Sequence, residues 1–522
     1  MMTSLRSLLL VSVAVAAAPS VTMAQPSDDT IVVGISADAN TFDPAAISSR
    51  DNSNIAKHIF GTLYEVSADG KIVPDLAESY VEAEDGKSYT YTLRQGLTCE
   101  DGEALTAEDA AYSFNRAADP ANAFTGNTPG FVYSSIQFKS AEAISEREVR
   151  INLGQKNPVS FGLIAEVFIH CKDSYQKMSL DEAATKPVGS GPYRLAQWDR
   201  GSQVVLERVK KDEANFQNMV WRIIPEASTR SAELIAGNVD VITNVAPDQL
   251  DAINNSSSAK VKAVQGTRRI YVGFNLRKDF AEAGKGGAAI QDQKVRVALQ
   301  YAVDVPAICK QLLNFECERA TSLVNPPNGN PKLKPYPYDP KMAEKLLDEA
   351  GYPRGADGVR FKITMQAPRG RYLNDANVAL AVGQYLTDIG VETNVELLEW
   401  ASVYVPLISK HDAGPMFFLG TGGGTWSPLY DMTDLSTPEA GTNYTSWSNP
   451  DWFAGWKEIS AAASEEERRV VIDRMLEVFY NDPPWLLMYF QPDFYGVSDR
   501  LDFTPRRDEK VYLFDAKLKS AG

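Results

Sequence analysis

Signals for strands and helices alternate along nearly the whole chain of 522 residues, and no linker interrupts them. Val149–Leu153 and Arg269–Asn275 have the apolar pattern of strands, whereas Ala376–Ile389 has the spacing of a helix. Capping boxes at Thr106–Asp109 and Ser464–Glu467 mark the starts of two further helices. Because no internal repeat or low-complexity segment divides the chain, we predict a mixed α/β protein whose domains are interwoven.

The first 24 residues have the three parts of a secretory signal peptide. Arg6 supplies the positive start, and Leu8–Ala18 is an apolar run that is too short to span a bilayer. Small residues at Thr22–Ala24 then precede a predicted cut before Gln25. A buried N-terminal helix is the alternative interpretation. The pattern predicts export, and the absence of cysteine from this segment argues against a lipid anchor.

The chain is acidic, with a formal net charge of −16, and removal of the predicted signal peptide takes away a single positive charge, Arg6. A general nucleic-acid-binding protein needs a basic face, so this class is excluded. The charge says little about a small ligand, because surface charge mainly serves solubility.

The four cysteines, Cys99, Cys171, Cys309 and Cys317, all follow the predicted signal peptide. An even number in an exported protein favours disulfides, and four cysteines allow three pairings. Cys309–Cys317 is attractive because CKQLLNFEC can form a helix end that folds back on its own loop. Cys99–Cys171 would then be the second bridge. A zinc site is the weaker alternative, since the chain has no CxxC pair.

The segment KPVGSGPYRLAQWDRG, residues 186–201, raises the question of a serine nucleophile. Gly189 and Gly191 stand directly beside Ser190, whereas a nucleophile elbow has its glycines two residues away on each side. Pro192 prevents a helix from starting across it, and the residues that follow alternate as in a strand. We therefore interpret Ser190 as a turn residue, with glycines that allow unusual backbone angles.

Six segments follow one another in an order that resembles a single family. They are GTLYEVSADGKIVPDLAESYVEAEDGKSYTYTLRQGL, DGEALTAEDAAYSFNR, KPVGSGPYRLAQW, RSAELIAGNVDV, DQKVRVALQYAVD and DPKMAEKLLDEAGY. Behind a signal peptide, this series resembles the large extracytoplasmic solute-binding proteins of bacterial ABC importers, the dipeptide, oligopeptide and nickel-binding type known as family 5. The resemblance extends to about Pro484 and so covers most of the chain.

The resemblance implies a periplasmic-binding-protein fold, type II-like and of the large cluster. Two α/β lobes face each other across a central ligand cleft, and a β-rich domain is inserted in the first lobe. The implied borders are 1–24 for the signal peptide, 25–58, 185–268 and 488–522 for the first lobe, 59–184 for the inserted domain and 269–487 for the second lobe. The lobes would close over the ligand about a hinge.

In peptide-binding members of the family, an aspartate before a proline typically pairs with the free amine of the peptide. This chain has Ser427 at that position, which argues against recognition of an α-amine. Asp431 or Asp434 can substitute, although an aspartate beside turn residues is more often a helix cap. The glycine run around Gly422 lacks the Lys-Ser/Thr of a phosphate loop. Its N–H groups can approach an anionic ligand, or the run is a plain flexible loop.

Arginines are the main candidates for binding a carboxylate, because the guanidinium fork matches it in bidentate geometry. Arg371 matches the position at which an arginine of the family often meets a ligand carboxylate. Arg268 and Arg269 begin the strand that enters the second lobe, and the sequence does not tell which of them faces the cleft. Structural ion pairs are the alternative for all three.

The remaining candidates are aromatic residues that can line the cleft as rigid walls and polar residues of a loop that borders it. They are Trp400, Tyr404, Trp426, Asn40 and Thr41. Core packing is the alternative for the aromatic residues.

The resemblance implies a periplasmic receptor, not an enzyme, that captures a small polar solute and delivers it to the permease subunits of an ABC importer. We expect a monomer with no cofactor and no metal ligands of its own. The missing aspartate and Arg371 together favour a solute with carboxylates, and peptide-like, opine-like and metal-chelate ligands all stay open. A secreted hydrolase and a chaperone-like binder of extended polypeptide are the alternative classes; the sequence shows no nucleophile with a base.

Overall fold

The computed structural model describes residues 25–282, 284–326, 328–422, 427–438, 440–462 and 464–519, and the predicted signal peptide lies outside these ranges. The strands are β1 Thr30–Ile35, β2 Tyr64–Val66, β3 Ile72–Pro74, β4 Ala77–Glu82, β5 Ser88–Leu93, β6 Phe138–Ala143, β7 Glu148–Leu153, β8 Tyr193–Asp199, β9 Gln203–Arg208, β10 Asn218–Ile223, β11 Val241–Ile242, β12 Ala259–Phe274, β13 Phe361–Arg369, β14 Val391–Glu399, β15 Met416–Gly422, β16 Trp485–Ser498, β17 Leu501–Asp502 and β18 Lys517–Leu518.

The helices are α1 Arg50–Ile59, α2 Ala107–Ala118, α3 Ser134–Ile136, α4 Ser160–Ile164, α5 Lys172–Tyr175, α6 Leu180–Thr185, α7 Ala227–Ile235, α8 Leu250–Asn254, α9 Lys278–Glu282, α10 Lys285–Ala289, α11 Gln293–Tyr301, α12 Val305–Leu312, α13 Pro340–Glu349, α14 Asp375–Asp388, α15 Val405–Ser409, α16 Pro428–Met432, α17 Pro450–Ala461 and α18 Glu465–Asn481. Helices α2 and α18 begin where the sequence predicted: the side chains of Thr106 and Ser464 accept backbone N–H groups of the first turn.

One large mixed sheet connects the two lobes of the molecule. Its strand order is β14-β13-β15-β12-β16-β11-β1-β10-β9-β8. Apolar side chains cover each half of this sheet in separate cores, one around Ile31 and Trp221 and another around Val272 and Met416. The predicted two-lobed α/β fold is therefore confirmed.

The central strands β12 and β16 pass through both lobes. Residues 259–265 of β12 pair with one end of β16, and residues 269–273 pair with the other end. Between Gln265 and Arg269 the register shifts, and Pro492 on the partner strand has no N–H to donate. The pairing is therefore weakest where the chain crosses between the lobes.

A second, antiparallel sheet has the order β4-β5-β7-β6 and packs against helix α2. Its apolar face shares one core with residues of the second half of the chain, including Tyr404 and Trp452. The β-rich segment thus forms its own sheet but does not stand apart from the rest of the molecule.

The VGSGPY turn joins this region to the large sheet through close backbone contact. A Cβ atom at Gly189 would lie 1.9 Å from the carbonyl oxygen of Ile59, and one at Gly191 would lie 2.7 Å from that of His58. Neither glycine has a positive φ, so the predicted need for unusual backbone angles is wrong. Ser190 is buried, accepts a hydrogen bond from the Gly61 N–H and donates one to Ile169, as befits a turn residue.

The cysteines form both predicted bridges, Cys99–Cys171 and Cys309–Cys317, and none of the four is free. Cys309 lies in helix α12, and Cys317 follows in the loop that returns from it. Among the described residues, no helix combines the length and the apolar character needed to cross a bilayer.

Candidate functional site

A cavity of about 1220 Å³ lies between the two halves of the large sheet. It exceeds the usual volume of a small-molecule pocket, roughly 300–1,000 Å³. Residues of both lobes line it: Ser48–Asp51 and Asn54 at the start of α1, 243–248 after β11, Gln311, Leu312 and Asn314 at the end of α12, 370–374 before α14, Trp400, Gln491–Tyr495 in β16, and Glu509.

Arg268 faces this cavity and forms a bidentate pair with Glu509. The distances are 2.6 Å from Nε to Oε1 and 2.5 Å from Nη2 to Oε2. Burial alone would raise the pKa of Glu509, but the positive charges of Arg268, Arg50 and Arg371 lower it to about 2. The sequence analysis predicted Arg268 as a ligand-binding residue. Its guanidinium is, however, already paired with the carboxylate of Glu509.

Arg371 also faces the cavity, and the loop that carries it is fixed by Asp375. The carboxylate of Asp375 accepts the N–H groups of Gly370, Arg371 and Tyr372 at 3.0, 2.7 and 3.0 Å. The guanidinium of Arg371 makes no hydrogen bond or ion pair with the described residues. It lies 5.2 Å from the ring centroid of Tyr372 and 5.3 Å from that of Trp400.

The electrostatic surroundings of Arg371 are unfavourable for its own charge. Although the side chain is exposed at the cavity, desolvation by the surrounding walls lowers the pKa of Arg371, and the like charge of Arg268 lowers it further, while Glu509 and Asp51 act in the opposite direction. An anion in the cavity would stabilise the charged form of Arg371 and so oppose both the desolvation and the repulsion from Arg268. Trp400, predicted to line the cleft, borders the same space and packs edge-on against Tyr372.

Arg50 is a cavity residue that the sequence analysis missed. It is the first residue of α1, behind the N-cap Ser49, whose side chain accepts the Asn52 N–H. Burial opposes the charge of Arg50, but Glu166 and Glu509 raise its pKa. Ser49, a polar residue of the type that caps helices, is the sequence signal that could have located the start of this helix.

Arg269 points to the other face of β12, as the alternation of a strand requires. Its guanidinium donates to Asp431 Oδ1 at 2.7 Å, to Asp434 Oδ2 at 2.6 Å and to Thr421 Oγ1 at 3.2 Å. Asp431 is fully buried and also accepts the N–H of Asn325. Both aspartates therefore already have a cation, which leaves them poorly suited to replace the amine-binding aspartate.

Ser427 is the N-cap residue of α16. The glycine run before it is described only to Gly422, which pairs with Arg268 across the sheet and borders a smaller cavity of about 260 Å³ beside Arg50 and Asp434. The rest of the run and Trp426 lie outside the described residues.

Three predicted residues lie away from the cavity. Tyr404 is fully buried and donates a hydrogen bond to the carbonyl of Phe418 at 2.6 Å, because the turn of Trp400–Tyr404 directs it into the core. Asn40 accepts a hydrogen bond from Asn52 Nδ2, and Thr41 accepts the N–H of Asp43. These two residues fix their own loop against α1 and do not border the main cavity.

Within the described residues, no group of three or more His, Cys, Asp or Glu side chains is arranged to hold a metal ion. His58 is buried between the Asn54 carbonyl and the Leu513 N–H, and burial lowers its pKa to about 3. It is therefore a neutral, structural histidine.

The sequence comparison decides the family. The profile described as bacterial extracellular solute-binding proteins, family 5 Middle, matches residues 71–443. The chain belongs to this family. Family 5 consists of the substrate-binding receptors of ABC importers, so the chain is a solute-binding receptor, and the predicted family and function class are confirmed.

Individual family 5 proteins resemble the chain over almost its full length. Heme-binding protein A of Haemophilus influenzae is 28% identical, covering 88% of this chain and 87% of its own. Glutathione-binding protein GsiB of Escherichia coli K12 is 26% identical, covering 91% and 92%. The structure of HbpA2 from Haemophilus parasuis has a TM-score of 0.79 at 22% identity, covers 94% of this chain and 100% of its own, and has the same fold.

Proposed function

We propose that this family 5 receptor binds a small solute with at least one carboxylate in the cavity between the lobes. The observation that carries the proposal is the guanidinium of Arg371, which faces the cavity, has no acceptor among the described residues and stands beside the like charge of Arg268. The Arg371 side chain is exposed at the cavity, so its guanidinium is open to a ligand, and a ligand carboxylate would complete its fork.

The lobes would close over this solute about the crossing strands. The register shift between Gln265 and Arg269, together with Pro492, supports a hinge at this point. Closure is driven only by contacts that exist in the closed state, so the ligand must bind groups of both lobes. In this proposal the lobes are 25–58, 185–268 and 488–522 against 269–487, with 59–184 inserted, and the bound form is presented to the permease subunits of an importer from the periplasm.

The names of two relatives are consistent with an anionic solute. Heme and glutathione, which the relatives in Haemophilus and Escherichia are named for, each carry two carboxylates. The volume of about 1220 Å³ leaves room for a ligand of this size. Peptide-like, opine-like and chelate-type carboxylates therefore form the panel to be tested.

The first experiment is a thermal-shift screen of the exported protein against carboxylate solutes and their amides. A solute at 100 times its Kd stabilises a native state by about 2.7 kcal/mol. We expect stabilisation by one class of carboxylates and none by the matching amides, with the bound solute recovered unchanged. Chemical turnover of the solute, or equal shifts for acids and amides, contradicts the proposal.

The second experiment measures the affinity of the solute found in the screen by calorimetry. Arg371→Ala is expected to weaken binding by about 2–5 kcal/mol because a desolvated carboxylate loses its partner. Arg371→Lys should also weaken it, since a point charge does not reproduce the fork. Arg369→Ala is the matched control, because Arg369 is exposed on the preceding strand outside the cavity. Affinity of the Arg371 variants within twofold of wild type would show that the assignment is wrong.

A further inference from the structure

The loop that follows α12 lies at one end of the cavity and is closed by a disulfide. Cys309 in α12 and Cys317 beyond the loop form the bridge. Three of the residues that this bridge encloses border the cavity: Gln311, Leu312 and Asn314. Within the described residues, the other bridge, Cys99–Cys171, encloses no residue of the cavity. The proposed function gives neither bridge a part, so the place of the first one needs an explanation.

Hydrogen bonds fix this loop at both of its ends. The Cys309 carbonyl accepts the N–H of Phe315 at 3.4 Å, which folds the loop back on the helix end. Just after Cys317, the buried Arg319 donates from Nε to the Leu487 carbonyl of β16 at 3.0 Å. The bridge therefore connects the end of α12 to a segment that is itself attached to the large sheet.

The loop supports the segment that carries Arg371. Asn374 is the last cavity residue of the segment 370–374, and its Nδ2 atom donates to the Leu312 carbonyl at 2.7 Å. Asp375 fixes the backbone N–H groups at the start of the same segment. The position of the Arg371 segment therefore depends on the Leu312 carbonyl, which lies inside the loop that the disulfide closes.

The same loop also makes contact across the two lobes. Phe315 packs against the core of the second lobe and against a first-lobe core that contains Val32 and Phe494. Its ring meets the ring of Phe494 edge-on, with 5.8 Å between the centroids. Leu373, in the Arg371 segment, packs against the same two cores. Phe315 itself does not border the main cavity, so its contacts act on the site and not directly on a ligand.

The lengths of the two disulfide loops point to different roles. Cys309 and Cys317 are 8 positions apart along the chain, whereas Cys99 and Cys171 are 72 positions apart. In the chain-entropy model a disulfide stabilises a protein more when it closes a longer loop, so the short bridge constrains the unfolded chain less. Its main consequence then lies in the native state, where it orders residues at the cavity before a solute binds.

We propose that the Cys309–Cys317 bridge is a positioning element of the binding site. It fixes the Leu312 carbonyl against the Arg371 segment and Phe315 between the lobes, so that this end of the cavity is ordered in advance of the solute. This inference rests on the proposed function, because it names what holds the carboxylate-binding segment in place. Loss of the bridge should weaken solute binding in a protein that still folds.

Two double variants compare the bridges. The short-bridge variant is Cys309→Ala/Cys317→Ala, and its matched control is the long-bridge variant, Cys99→Ala/Cys171→Ala. Because the control opens the longer loop, it should lower the melting temperature at least as much as the short-bridge variant does. A loss of affinity that is confined to the short-bridge variant is therefore not an effect of stability alone.

The first test needs no ligand. Hydrogen exchange of the 370–374 amides is followed by mass spectrometry, relative to the amides of β13, because four of these amides donate to Asp375 and Gln491. We expect exchange to be at least about threefold faster in the short-bridge variant and unchanged in the long-bridge variant. Unchanged exchange in the short-bridge variant overturns this inference and leaves the proposed function standing.

The second test measures the Kd of glutathione, the dipeptide Ala-Ala and citrate by calorimetry. For each probe that binds the wild type, we expect Kd to rise at least about tenfold in the short-bridge variant and to stay within about twofold in the long-bridge variant. Equal losses in both variants overturn the inference. Failure of all three probes to bind the wild type counts against the proposed function, and the exchange test then still decides this inference.

Phe315→Ala keeps the bridge and tests the contact between the lobes, also where the short-bridge variant does not fold. Both readouts should change in the same direction as in that variant, with Kd raised at least about threefold. Phe453→Ala truncates a half-buried ring of α17 away from the cavity and is the control, which should behave as the wild type. Wild-type exchange and affinity in Phe315→Ala overturn the proposal.

Discussion

Two neighbouring arginine environments differ sharply in this molecule. Behind strand β12, Arg269 donates to two aspartates and a threonine and is buried. In front of it, Arg371 faces the cavity without an acceptor in the described part of the chain, and its near neighbour Arg268 is a like charge. The chain therefore supplies the acceptors of Arg269 itself, whereas the guanidinium of Arg371 is open to the acceptor that the proposed ligand would bring.

The difference shows how residues of one type separate into structural and binding roles. A satisfied, buried ion network serves the folded state, and its loss leaves charges without partners. An unsatisfied arginine at a cavity contributes little to folding and much to binding. Substitution of Arg269 should therefore lower the stability of the protein. Substitution of Arg371 should lower its affinity for the ligand with little change in stability.

Removal of the satisfied arginine should have the largest effect. Arg269→Met keeps the aliphatic stem but leaves the buried Asp431 and the half-buried Asp434 without their cation, so we expect a loss of about 3–5 kcal/mol in the free energy of unfolding. Urea denaturation of the wild type and of Arg269→Met measures this loss. A loss below about 1 kcal/mol would remove the distinction between the two environments.

The Arg268–Glu509 pair should contribute to the acid stability of the protein. Because the pKa of Glu509 is lowered to about 2, its contribution is present above the unfolded pKa near 4.3 and is lost as the pH falls towards 2. The stability difference between wild type and Glu509→Gln should therefore shrink by about 1.4 kcal/mol per pH unit below pH 4, or about 3 kcal/mol in all. Urea titrations at pH 5, 4 and 3 test this, and parallel curves for the two proteins would contradict it.

Neutralising one carboxylate of the Arg269 network should cost less than removing the arginine. Asp431→Asn retains an acceptor for Arg269 but loses the charge, and hydrogen bonds to charged groups contribute about 1.5–3 kcal/mol. Burial raises the pKa of Asp431 to about 6 against the opposing charge of Arg269, so removal of the buried charge offsets part of this loss, and we expect a loss below about 1.5–3 kcal/mol in urea denaturation at pH 7. Asp248→Asn, at an exposed carboxylate, is the control, and equal losses in both variants would argue against a special role of the network.

The smallest effect on stability is expected at the unsatisfied arginine. Arg371→Met should change the free energy of unfolding by no more than about 0.5 kcal/mol, because no ion pair or hydrogen bond of its guanidinium is lost. The same denaturation assay measures it without ligand. A loss comparable with that of Arg269→Met would mean that Arg371 is a structural residue.

Several local features were predictable because their causes are local. The caps at Thr106 and Ser464 depend on residues within one turn, and the Cys309–Cys317 bridge depends on a helix end and the loop that follows it. The turn at Ser190 was interpreted correctly, but the reason for its glycines was not. Their close contact is with Ile59, which is about 130 residues away, and a sequence pattern does not carry that information.

The residues of the candidate site show the same contrast between local and distant causes. Arg371 and Trp400 were placed at the cavity, whereas Tyr404 was assigned to it wrongly because a turn of helix, and not the residue type, decides which ring enters the core. Arg50 was missed because no motif of the sequence placed the start of α1 at the cavity.

The sequence by itself determined the family, the order of α and β elements and the presence of arginines that can bind a carboxylate. Only the tertiary structure decided which of these arginines is available. The acceptors of Arg269 and Arg268 lie 162 and 241 residues away along the chain, in segments that the fold brings to opposite faces of one strand. The charge of an arginine is fixed by its residue type, but whether that charge is already neutralised depends on which distant carboxylates the fold places against it.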